Sequence, residues 1–197
     1  MDTLIFATNN QHKVDEIKSI GGLEYKIVSL REAGIDIDIP EPFDTLEDIA
    51  SEKSRIIHAL TGTNCFSEDT GLEVKALNGE PGVKSARYAG ESRSFEENIE
   101  KLLARLHGKE NREAQFRAVI SLVFNGNEYK FEGICKGIIL AYSRGTGGFG
   151  YDPVFIPDGA TLSFAEMNVT EKNKYSHRKK AMDKMVEFLK TPLSEKR

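Results

Sequence analysis

TLIFATNNQHKVDEIKSI, residues 3–20, sets the fold class. Thr3 to Ala7 is a short apolar run of strand length, and Thr8-Asn9-Asn10 is a polar turn. Val14, Ile17 and Ile20 then recur at helical spacing, so the stretch reads strand, turn, helix. Further along, Asp44 and Glu47 have capping-box spacing, ahead of a helix with Leu46, Ile49, Ala50, Ile56, Ile57 and Leu60 on one stripe and a stop at Gly62. Ser94 with Glu97 repeats the signal before Ile99, Leu102, Leu103 and Leu106, stopped by Gly108. Gln115 to Phe124 is rich in β-formers, and Asn125-Gly126 before Glu128 to Phe131 signals a hairpin that continues from Gly133 to Tyr142. A last helix from Ser176 presents Ala181, Met182, Met185, Val186 and Leu189 to a core. Alternating and mixed elements of this kind define an α/β protein, with residues 1–197 forming one domain.

Composition narrows the function classes. No apolar run reaches the ~18 residues of a membrane span, and Met1 to Ala7 lacks a secretory signal's basic start, which predicts a cytoplasmic protein. A net charge of −4 argues against broad adhesion to nucleic acid or anionic lipid and favours a small ligand. Cys65 and Cys135 read as ordinary buried thiols, and the four histidines show no zinc-ligand spacing.

Several segments carry candidate chemistry. Thr8-Asn9-Asn10-Gln11-His12-Lys13 puts small polar residues before a helix start, whose free amides and dipole favour an anion such as a triphosphate. A purely structural reading has Asn10 cap the helix and Lys13 pair with Glu16. Lys53 falls within the apolar stripe of its helix, so its stem either carries the ammonium out to water or delivers it to a buried anion. Glu68-Asp69 is expected to end a strand, with Gly71 turning the chain after Thr70. Carboxylates so placed can hold magnesium, and one can activate water; Glu41, between Pro40 and Pro42, is a third candidate.

Residues 145–150, GTGGFG, match the dinucleotide fingerprint only formally, because Pro153 and Pro157 follow where a helix would have to begin. The loop instead offers Phe149, Gly150, Tyr151 and Asp152, its aromatic rings suited to stacking on a base or to filling a core. Ser176-His177-Arg178-Lys179-Lys180 opens the last helix with basic residues where the helix dipole favours acidic ones, which points to a nearby anion or electron-rich ligand.

ATNNQHKVDEI (7–17), SEDTGLEVKALNGEPGVKSARYAG (67–90), GTGGFGYDPVF (145–155) and EKNKYSHRKKAM (171–182) together resemble the inosine triphosphate pyrophosphatase family, the house-cleaning nucleotide hydrolases, in the family's order and across nearly the whole chain. The resemblance implies a long mixed β-sheet flanked by helices, in two lobes with a central nucleotide-binding cleft, usually as a homodimer. It implies hydrolysis of non-standard purine triphosphates (ITP, dITP, XTP) to the monophosphate and pyrophosphate. By the same likeness, Thr8 to Lys13 and Lys53 serve the triphosphate, and Glu41, Glu68 and Asp69 serve Mg2+, with Asp69 also the proton acceptor for water. Thr70 would touch substrate, while Phe149 to Asp152, Lys172, His177 and Arg178 match the sugar and base pocket. Glu68-Asp69-Thr70 stands where many members carry Asp-Asp-Ser, and Glu47 and Asp48 lie close enough in sequence to compete with Glu41. Two other readings remain: a related pyrophosphatase for modified pyrimidine nucleotides, and a sensing module that binds triphosphate intact.

Overall fold

The computed structural model describes residues 2–22 and 24–191. Seven strands form one mixed sheet in the order β2-β1-β3-β5-β6-β7, with β4 paired to β3. The strands are β1 (Thr3–Phe6), β2 (Lys26–Ser29), β3 (Cys65–Val74), β4 (Pro81–Gly82), β5 (Glu113–Phe124), β6 (Asn127–Ile139) and β7 (Phe155–Pro157). The α-helices are α1 (Gln11–Ile20), α2 (Leu46–Thr61), α3 (Phe95–Arg105), α4 (Val169–Asn173) and α5 (His177–Lys190). Among the described residues no helix is long and apolar enough to cross a membrane.

The chain forms two compact units. Among the described residues, the first comprises 2–69, 118–133 and 178–191; the second comprises Thr70–Arg117 and Ile134–His177.

In the first unit, β1 runs parallel to both β2 and β3. Successive strand side chains point to opposite faces. Leu4 and Phe6 accordingly join one core, with Val14 and Ile17 of α1, Ile120 and Leu122 of β5, and Ala181, Met182 and Met185 of α5. Ile5 and Ala7 join another, with Leu30, Ile57 of α2, Cys65 and Val123. One strand therefore feeds two helix layers. The hairpin reading holds, since Asn125 and Gly126 both have positive φ, 50° and 79°, as a type I′ turn between twisted strands requires.

Two details of α2 differ from expectation. Its N-cap is Thr45, whose Oγ accepts from the Asp48 amide at 3.1 Å, one residue later than the Asp44 and Glu47 spacing suggested. Thr45 and Asp48 have the same three-residue spacing, and Thr45 is the residue with extended backbone. Leu60, expected on the inner stripe, is 60% exposed, whereas Ser51 and Ser54 are buried there. Those hydroxyls tolerate burial because they are bonded, Ser51 to the Glu47 carbonyl and Ser54 to Ser121 Oγ at 2.7 Å. Gly62 ends the helix in the left-handed region, as expected.

A tie after β2 gives a pH-dependent contribution. Glu32 accepts from Lys18 of α1 and from the amide and hydroxyl of Ser29, and these bonds bring its carboxyl down from 4.5 to about 2. Because the folded value is the lower one, the tie contributes fully above pH 4.5 and is lost as pH falls toward 2. Glu32→Gln should therefore lower the Tm at neutral pH, and the gap from the parent should close across that window in acid melts.

In the second unit, Leu72, Val74, Leu102, Leu106, Ile139 and Val154 pack with the aromatic group Phe116, Phe155 and Phe164. Gly71 corrects the sequence reading: it does not turn the chain but lies inside β3. A Cβ there would sit 2.7 Å from the carbonyl oxygen of Gly82, so the glycine admits β4 against β3. Glu68 and Asp69 are consequently interior to a ten-residue strand rather than at its end.

Candidate active site

Strand alternation decides what Glu68 and Asp69 meet. Phe66 shares a core with α1 and α5, and Glu68, two residues on, meets those same helices through Lys13 and Arg178. Ser67 donates to the Ala50 carbonyl of α2, and Asp69, two residues on, meets Lys53 of α2. The adjacent carboxylates thus meet different helices, with Lys13 Nζ within 4.0 Å of both.

Lys13 Nζ lies 2.8 Å from Glu68 Oε2 and 4.0 Å from Asp69 Oδ1, and also donates to the Glu68 carbonyl at 3.1 Å. Lys53 Nζ lies 2.5 Å from Glu41 Oε1 and 3.2 Å from Asp69 Oδ1. Arg178 reaches Glu68 Oε1 through Nη2 at 3.1 Å and Glu16 through Nη1. The charges alternate along one line: Glu41, Lys53, Asp69, Lys13, Glu68, Arg178, Glu16. Such a line is how buried charges persist, each member between the two ends being paired on both sides.

Burial, reinforced by Glu41 and Glu68, pushes the Asp69 carboxyl above the ordinary aspartate value against the pull of Lys53 and Lys13. A raised carboxyl is a better proton acceptor near neutral pH than an exposed one. Burial alone would lower the Lys53 ammonium, but Asp69 and Glu41 outweigh it and hold its pKa above the usual value. Lys53 therefore meets buried anions rather than water.

Around the first turn, Asn10 does cap α1, its Oδ1 accepting from the Lys13 amide at 3.2 Å, while Thr8 Oγ1 accepts from the Asn10 amide at 3.1 Å. Lys13, however, pairs with Glu68 and not Glu16. Asn9 donates to the Ile37 carbonyl at 3.0 Å, Gln11 to Asp15 at 2.7 Å, and Gln11 and His12 are exposed. Of the acidic candidates near Glu41, Asp48 is engaged by the Thr45 cap.

The second unit holds its own buried pair. Lys172 Nζ lies 2.6 Å from Asp152 Oδ2, which also accepts from the Phe149 amide at 2.9 Å. The ammonium stands over the rings of Phe149 and Phe164, 5.3 and 5.2 Å from their centroids. A Cβ on Gly148 would meet Asp152 Oδ2 at 2.0 Å, so glycine is what lets the loop lie against this pair. Gly150 takes a φ of 61° in the same loop. Tyr151 fills the core rather than projecting from the loop: it is buried, and its hydroxyl donates to the Ser85 carbonyl at 2.8 Å. His177 is buried with its ring stacked on Phe116 at 4.8 Å, and Thr70 is half-buried on β3.

Two of the basic residues opening α5 are therefore buried: His177 lies against an aromatic ring and Arg178 against carboxylates. Glu16 is the member that sequence reasoning missed, having been read only as a local partner for Lys13. It sits 162 residues from Arg178, and no spacing rule reaches that far.

Residues 4–188 match the Ham1 family, and the chain belongs to it. It is 50% identical over 190 residues to the dITP/XTP pyrophosphatase of Porphyromonas gingivalis, covering 96% of this chain and 98% of that protein. It is 47% identical to the dITP/XTP pyrophosphatase of Christiangramia forsetii, covering 94% and 98%. Among solved structures, the Staphylococcus aureus Ham1 protein is 38% identical and superposes with a TM-score of 0.86 over 95% of this chain and 98% of that one.

Proposed function

We propose that this protein is a magnesium-dependent nucleoside triphosphate pyrophosphatase that converts ITP, dITP and XTP to the monophosphate and pyrophosphate, keeping them out of DNA and RNA. The observation that carries the reading is Asp69, a raised carboxyl held between Lys53 and Lys13, in a chain of the Ham1 family whose relatives are named dITP/XTP pyrophosphatases. Cytoplasmic action and a homodimeric assembly belong to the same proposal and rest on the family likeness.

The residues suit a magnesium ion. Glu41, Glu68 and Asp69 supply hard oxygen donors, and lysine ammoniums already act as stand-in cations among them. Among the described residues no three acidic, histidine or cysteine side chains form a ready ligand set. Bound there, magnesium would neutralise phosphate charge and acidify water.

Asp69 accepts a proton from water as its oxygen attacks the α-phosphorus. The bond from that phosphorus to the bridging oxygen breaks, and pyrophosphate leaves. Lys13 and Lys53 are compact point charges that stabilise the negative charge on the phosphates. Thr8, Asn9, Asn10, Gln11 and His12 supply hydroxyl, amide and imidazole groups for the phosphate chain, and Thr70 also touches the substrate. By the family likeness, Phe149, Gly150, Asp152, Lys172, His177 and Arg178 serve sugar and base, with Tyr151 holding the loop from the core through its bond to the Ser85 carbonyl.

With magnesium, ITP should yield IMP and pyrophosphate in equal amounts, and excess chelator should abolish turnover. Orthophosphate as the primary product would refute the bond assignment, and triphosphate bound but left intact would indicate a sensor.

A further inference from the structure

The carboxylates assigned to the metal are already holding cations of the chain's own, and those cations are the lysines assigned to the triphosphate. Glu41 and Asp69 share Lys53; Glu68 and Asp69 share Lys13. Resting on the function proposed above, we infer that Lys13 and Lys53 are exchangeable counter-ions: they hold Glu41, Glu68 and Asp69 in the free protein, give way there to a divalent cation, and so become available to the phosphates. Metal binding and triphosphate binding are thereby coupled.

Charge and burial carry the argument. Glu68 is 1% and Asp69 8% exposed, and carboxylates buried this far need a nearby cation to stay charged. Glu16, Glu41, Glu68 and Asp69 are ion-paired with Lys13, Lys53 and Arg178, so each cation is shared between two carboxylates. A divalent cation among them adds two positive charges and competes with the ammoniums for the same carboxylates, and a polyanion takes up the ammoniums so released. The lysines are able to move. Each side chain is 13% exposed, on a flexible four-carbon stem that can re-aim its ammonium within a few ångströms. Arg178 is not: it is 1% exposed, and its planar fork is fixed by Glu16 as well as Glu68. Arg178 therefore stays on Glu68 in both states while the lysines exchange. Linkage makes the coupling reciprocal, so triphosphate should tighten metal binding by the factor with which metal tightens triphosphate binding.

The test is calorimetric titration of the full chain with magnesium alone, with magnesium-free and magnesium-saturated melts alongside. Lys53→Met and Lys13→Met remove the competing ammonium and should bind magnesium about fivefold tighter or more. Their Tm should drop without magnesium and recover with it. Lys53→Arg keeps the charge in a stiffer fork, so it should remain folded without metal and bind magnesium more weakly than the parent. A non-hydrolysable ITP analogue should bind the parent about 5- to 150-fold tighter with magnesium, and this factor should shrink toward one in Lys53→Met. If the parent binds magnesium and cleaves ITP but neither methionine variant gains magnesium affinity, the exchange is refuted and the proposed function stands. If the parent neither binds magnesium nor cleaves ITP with it, both fall.

Discussion

Asp69→Asn should lower kcat on ITP by about 10²- to 10⁴-fold while leaving the chain folded, the range lost with a general base. The substitution keeps the size of the side chain and removes its charge. It also leaves Lys53 with Glu41 and Lys13 with Glu68, so neither lysine is stranded. KM should change less than kcat, because proton acceptance belongs to the chemical step. A folded variant that retained more than about a tenth of the parent rate would move the base elsewhere, with Glu68 the next candidate.

Arg178→Ala should destabilise the protein by about 3–5 kcal/mol, read as a fall in the denaturation midpoint, because it leaves buried Glu68 without the fixed member of its pair. Lys13 stays on Glu68 and should place the loss toward the lower end of that range. A loss below about 1 kcal/mol would mean the guanidinium does not carry the carboxylate line. The variant also tests base reading. A guanidinium has only donors, so it can bond the 6-carbonyl of hypoxanthine but meets the 6-amino group of adenine donor to donor. Unpaired groups in a closed pocket can reject a substrate by up to ~10⁴-fold. kcat/KM for ITP should therefore fall much more than for ATP. Equal losses would show that Arg178 works only through Glu68 and Glu16.

What was legible in the sequence was what is local. The strand, turn and helix of residues 3–20 formed as read because their periodicities lie within a few residues of each other, and Asn125-Gly126 specified its hairpin by backbone geometry alone. The glycine loop was recognised as no dinucleotide site because prolines forbade the helix; a short 3-10 turn at Asp152–Val154 and then β7 follow it. The misreadings came from residues whose meaning depends on distant partners. Gly71 looks like a turn until Gly82 is placed against it. Leu60 falls on the apolar stripe by periodicity, yet it is exposed while Ser51 and Ser54 are buried, Ser54 bonded to Ser121. Lys53 was visible as a charge aimed inward, but its partners, Glu41 and Asp69, came together only through the fold. Lys13 was legible as a candidate by type, whereas its partner Glu68 lies 55 residues away and is brought to it only by the fold.

The site of water attack is the most direct test of the central claim. Hydrolysis of ITP by the magnesium-loaded protein in isotopically labelled water, with the products resolved by mass spectrometry, assigns the phosphorus at which the new oxygen is bonded. The account predicts label in the monophosphate and none in pyrophosphate, since water assisted by Asp69 attacks the α-phosphorus; label appearing in pyrophosphate or in orthophosphate would contradict it.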